Sequence, residues 1–139
     1  MEDRDVKIKV RTSQFIENGE ENTVESFYKG KRIEKNGSIY INFQEFDTVK
    51  DSKSIIKIGE DEVIIFKSGE VISKMRFKED KKHKSDYKTP YGDFNMSVYT
   101  YKISKKIEEE QLKLNLDYKV SIEGLMDANN RVEIRVTSE

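Results

Sequence analysis

His83 is the only histidine in the chain, so side-chain acid–base chemistry near neutral pH would start there. A general base needs an orienting carboxylate and a partner to deprotonate. Asp80, Asp86 and Ser85 are close in sequence, but Lys81, Lys82 and Lys84 surround the histidine. That run reads as a solvated turn, not a triad. Metal chemistry has less to work with. One histidine and no cysteine leave only carboxylates, and no Asp-x-Asp-x-Asp-Gly calcium loop occurs. Glu108-Glu109-Glu110 reads as a charged turn. Neither Gly-x-x-x-x-Gly-Lys nor Gly-x-Gly-x-x-Gly is present, which removes the common nucleotide loops. The expectation is a protein without enzymatic activity, metal or cofactor.

Aromatic and basic residues offer a second chemistry. Tyr87, Tyr91, Tyr99 and Tyr101 lie near Lys84, Lys88, Lys102, Lys105 and Lys106, and residues 78–88 hold five lysines against three acids. Exposed rings beside lysines can stack single-stranded bases. The same tyrosines can also pack strand faces and keep their hydroxyls wet.

The elements that would carry these residues follow from a period of two. Leu112, Leu114, Leu116, Tyr118, Val120 and Ile122 alternate with Lys113, Asn115, Asp117, Lys119, Ser121 and Glu123. Only a β-strand places every second side chain on one face, so this strand has one dry and one wet side. Similar patterns run over 6–12, 23–35, 38–46, 54–58, 62–67, 71–78, 85–89, 92–104 and 131–137. Asn36-Gly37 between two of them is a strong hairpin signal, and Gly30 suggests a bulge or bend. Polar connections are expected at 14–22, 47–52, 79–84, 105–110 and 127–130. No stretch shows a 3.6-residue period of helical length. Short connections mean antiparallel neighbours. A meander of this size hides its edges best by closing. An all-β, antiparallel up-and-down barrel of eight to ten strands, forming a single domain over 1–139, is therefore expected.

Charge and composition narrow the partners. The net charge is −1, with 26 basic and 27 acidic residues, so there is no global pull toward nucleic acid or acidic membranes. No apolar run reaches the 18 residues of a membrane helix, and Met1-Glu2-Asp3-Arg4-Asp5 does not open a signal peptide. A cytoplasmic protein is the expectation.

The most distinctive local stretch is Thr89-Pro90-Tyr91-Gly92, followed by Phe94, Met96, Val98 and Thr100 at alternate positions and preceded by Met75, Phe77, His83 and Tyr87. With the Val6-Lys7-Ile8-Lys9 and Ile39-Tyr40-Ile41 strands, it resembles the YwiB-like family of small bacterial proteins of unknown function. An Asp80-Lys81-Lys82 run stands where that family would carry a glycine. The resemblance implies a calycin-like (lipocalin-like) barrel and no established activity. The Gly-x-Trp signature of lipocalins is missing, since there is no tryptophan.

Two functions follow as expectations. The first is a small, partly apolar ligand in the barrel mouth, touched by His83, Tyr87, Tyr91, Met75, Phe77, Met96 and Tyr118. The second is a protein- or RNA-interaction module using the tyrosine–lysine surface. A homodimer through outward-facing Ile55, Ile64 or Ile72 is a further expected partner.

Overall fold

Leu112, Leu114, Leu116, Tyr118 and Val120 are all buried, while the residues between them are not. In the computed structural model, which describes residues 3–15, 21–47 and 50–139, this alternation belongs to one of ten strands. They are β1 (Asp3–Phe15), β2 (Glu21–Lys35), β3 (Ser38–Asp47), β4 (Lys50–Ile58), β5 (Val63–Ser68), β6 (Ile72–Phe77), β7 (Lys82–Thr89), β8 (Gly92–Ile107), β9 (Gln111–Ile122) and β10 (Met126–Ser138). Each strand pairs antiparallel with its sequence neighbours, and β1 pairs with β10 to close the barrel. Among the described residues no helix is long and apolar enough to cross a membrane.

Several boundaries differ from the sequence expectation for identifiable reasons. Asp127–Asn130 is strand, not turn: Ala128 faces the core, and the Asn130 amide donates to the Tyr118 hydroxyl at 3.4 Å. The turn falls earlier, at Gly124, whose φ of 79° suits glycine. The charged 79–84 stretch ends sooner than expected, because Lys82, His83 and Lys84 pair with Tyr99, Val98 and Ser97 of β8. In β8 the register shifts between Thr100 and Lys102. This bulge at Tyr101 changes the inward parity, so that Ile103, not Lys102, faces Leu116. β8 accordingly continues to Ile107. Strand also occupies 14–15, 21–22, 47 and 50–52, parts of two expected connections; 16–20 and 48–49 lie outside the described residues.

Gly30 is not a bulge. It pairs with Val6 on one side and Phe43 on the other. A Cβ there would sit 2.2 Å from the Asn42 carbonyl oxygen and 2.9 Å from Ile8 Cδ1. Glycine is needed for the close approach of the two backbones.

The ladder around the barrel is released at two places. β2 pairs with β3 only over Gly30–Lys35, leaving the first half of β2 attached to β1 alone. β6 pairs with β7 only at Ile72 and Ser73. Beyond that point the Ser85 hydroxyl donates to the Lys74 carbonyl. The turn after β6 docks on β8, with Asp80 N–H donating to Thr100 O at 2.8 Å and Ile103 N–H to Glu79 Oε1 at 2.8 Å. The interior is packed with side chains. Phe77 of β6 and Tyr118 of β9 meet edge to face at 4.8 Å, although two strands separate them in the wall. At one end Arg32 points inward and is almost fully buried. It donates to the Glu108 carbonyl at 2.9 Å and pairs with Glu34 at 3.0 Å.

Gly30→Ala forces a methyl against a backbone oxygen that cannot rotate away. A loss of about 2–3 kcal/mol is expected, read as a lower urea midpoint at unchanged slope.

Candidate functional site

The apolar residues proposed for the mouth are core residues. Phe77, Met96 and Tyr118 are at most 6% exposed, and Met75 packs against the same cluster. Tyr87, on the inward face of β7, packs against that cluster too, with its ring 6.5 Å from Phe94. Tyr91 stands at the other extreme, 94% exposed at the tip of the β7–β8 turn. Its N–H donates to Thr89 Oγ1 at 3.1 Å, and that hydroxyl donates to the Gly92 carbonyl at 2.9 Å. The Thr89–Gly92 motif is thus a self-contained turn. Of these residues, His83 lines one open recess and Met96 touches a smaller one on β7–β9.

The first recess is a groove of about 1160 Å³ reaching from the end of β2 over the outer side of β3–β6 to the place where β6 and β7 part, where Ser73, His83 and Ser85 enter it from the inward-facing register. Two cross-strand rows form its surroundings. In one, Ile33, Tyr40, Lys57, Ile64 and Arg76 stand opposite one another in turn. In the next, Lys31, Asn42, Ile55, Phe66 and Lys74 do the same. Neighbours across a ladder touch, so rings and cations are held side by side. Lys57 Nζ lies 5.9 Å from the Tyr40 ring centre and Lys74 Nζ 5.5 Å from that of Phe66. Ile55 and Ile72 add exposed apolar surface, whereas Ile64 is buried.

The groove is electropositive. Lys35 comes from β2, Lys53 from β4, Lys67 from β5, Lys74 and Arg76 from β6, and Lys84 and Lys88 from β7. Asp86 is the carboxylate among the lining residues. Arg76 Nε has a partner at 3.7 Å in Glu62. Lys35, Lys53, Lys74, Lys84 and Lys88 are exposed and have no ion-pair partner among the described residues. Three buried atoms here also lack hydrogen-bond partners among the described residues: Asn42 Oδ1, Arg76 Nε and His83 Nε2.

Two smaller recesses contrast with it. One of about 450 Å³ on β10, β1 and β2 holds Lys7, Lys9, Lys29, Arg135 and Phe27. Its charge is partly answered, by Glu25 at 3.6 Å from Lys9 and Glu139 at 4.0 Å from Lys29. The other, about 500 Å³ on β7–β9, mixes Lys82 and Lys84 with Asp86 and Glu123. The tyrosine–lysine cluster read from sequence is dispersed. Tyr99 and Tyr101 pair with each other at 5.2 Å, and Lys105 donates to the Gly59 and Glu60 carbonyls at 2.6 Å. Among the described residues no group of three or more His, Asp or Glu side chains could hold a metal ion.

The fold defines an all-β protein with a closed, ten-stranded antiparallel barrel. The family described as "Domain of unknown function (DUF1934)" matches residues 8–134, and the chain belongs to that family. A relative named "Uncharacterized beta-barrel protein YwiB", from Bacillus subtilis (strain 168), is 24% identical over 110 residues, covering 79% of this chain and 78% of the relative. The crystal structure of the ywiB protein from Bacillus subtilis matches with a TM-score of 0.89 at 20% identity, over 99% of this chain and 93% of that one. At that identity the likeness carries the fold alone.

Tyr118 gives a measurable consequence of the packed interior. Burial pushes its phenol above the ordinary 10.0, and the hydrogen bond from Asn130 pulls partly the other way. Above pH 10 the unfolded chain loses a proton that the native state keeps, so stability must fall as pH rises toward the native value. Below pH 10 both states are protonated and the contribution is constant. Tyr118→Phe is expected to flatten this alkaline loss while costing within about 1 kcal/mol at pH 7, measured by urea unfolding across pH 8–11.

Proposed function

We propose that this protein is a non-enzymatic binding module that takes an anionic, partly apolar ligand in the outer groove of β2–β7. One observation carries the reading. Five exposed lysines without ion-pair partners among the described residues border the same apolar rows as Tyr40, Phe66, Ile55 and Ile72, in a chain whose net charge is −1. Cations beside half-exposed rings attract a ligand that is charged at one end and flat or greasy at the other. A calycin-like ligand in the mouth has less support, because Phe77, Met96 and Tyr118 already fill the space it would occupy. This reading takes the protein to be cytoplasmic.

The dye 1-anilinonaphthalene-8-sulfonate is an aromatic anion and serves as the probe. Its fluorescence is expected to rise with saturable binding, with amide shifts concentrated at Tyr40, Phe66, Lys74 and His83. Lys74→Glu and Phe66→Thr should each weaken it about fivefold or more, a loss of about 1 kcal/mol. Shifts centred on Leu114, Met96 and Tyr118 instead would return the site to the interior and end this proposal.

A further inference from the structure

We infer that the groove's ligand is a single-stranded nucleic acid, laid across β3–β6 with bases on Tyr40 and Phe66 and phosphates on the flanking lysines. The inference rests on the groove being the binding site and names the class of molecule it accepts.

A volume of about 1160 Å³ exceeds the ~300–1,000 Å³ usual for a small-molecule pocket, and the groove is open to solvent. It runs from β2 to β7, five strand spacings of ~4.8 Å, or roughly 24 Å. That length suits a short stretch of polymer.

Tyr40 is on β3 and Phe66 on β5, one row apart in register. Strand spacing and rise place them roughly 12 Å from each other. That is far beyond the ~3.4 Å stacked step along one strand, so two rings take unstacked, non-neighbouring bases. A duplex keeps its base faces buried and cannot use them. Each ring carries an ammonium at 5.9 or 5.5 Å, which a phosphate can recruit when a base takes the ring.

Hydrogen bonding points the same way. Asn36 and Ser68 are exposed in the lining, and an amide and a hydroxyl can each donate and accept. Nucleobase edges present both donors and acceptors. A fatty acid or a simple sulfate would leave this mixed set unanswered. A second copy of the chain is disfavoured, because two grooves bearing the same lysines repel.

The test is fluorescence anisotropy of the full chain with labelled probes of about 12 units: oligouridylate, oligothymidylate, a DNA duplex and an oligoglutamate peptide. Single strands are expected to bind. With about four phosphates neutralised, affinity should fall roughly 50-fold between about 50 and 200 mM salt. Tyr40→Leu and Phe66→Leu preserve apolar bulk but remove the stacking surface. Together they should cost at least about tenfold with the salt slope unchanged, whereas Lys74→Glu should reduce the slope. Equal binding of duplex or oligoglutamate, or indifference to the leucine pair, would overturn the inference in favour of a general polyanion or acidic-peptide surface. Dye in the groove with no oligonucleotide binding would sink this inference and leave the groove reading intact. Failure of both probes would remove both.

Discussion

A wall of ten strands encloses more volume than the eight that side chains comfortably fill, so its inner face can be dried only if opposite sides come together. Phe77 meeting Tyr118 across the interior shows that they do. The releases between β2 and β3 and between β6 and β7 are where the hydrogen-bonded wall gives way. They leave β3–β6 as a four-stranded panel joined to the other six strands by short ladders. Gly30 lies at the first joint, where two backbones approach closer than any Cβ would allow. Tight interior packing and an open joint are thus two sides of one geometric constraint.

The outer groove lies over that panel. A sheet face that covers a core on one side and water on the other normally alternates apolar and polar residues. β4 and β5 do not: Ile55 stands beside Ile56, and Ile64-Ile65-Phe66 is apolar throughout. Apolar residues of β4 and β5 therefore stand on both faces of the panel. On the outer one, Lys53, Lys57 and Lys74 stand among them. On β10, β1 and β2 two of the comparable cations, Lys9 and Lys29, are answered by Glu25 and Glu139.

Much of this was legible in the sequence. The β9 alternation, the Asn36-Gly37 hairpin and the short connections led to a closed antiparallel barrel, and the Thr89–Gly92 stretch led to the right family. The groove was not legible, for a physical reason. Tyr40, Phe66 and Lys74 come from three strands, and only the register of β3 through β6 sets them side by side. The consecutive isoleucines were the available signal, since a strand apolar on both faces must cover something on each. Asp127–Asn130 misled because its polar residues resemble a turn, while Gly124 supplied the positive φ that a turn here required. The bulge at Tyr101 left a trace too, in the break of alternation between Thr100 and Ile103.

The seam between β1 and β10 joins Val6 to Ser138 and Ile8 to Val136. Every other ladder links strands adjacent in sequence and can zip locally as it emerges from a ribosome. This one must wait for the last strand to be made. Until then the edge of β1 away from β2 stays open to any neighbouring nascent chain, and the entropy of closing so long a loop is met in a single late step. Barrel closure, rather than hairpin formation, should therefore govern how fast the molecule matures and how readily it aggregates on the way.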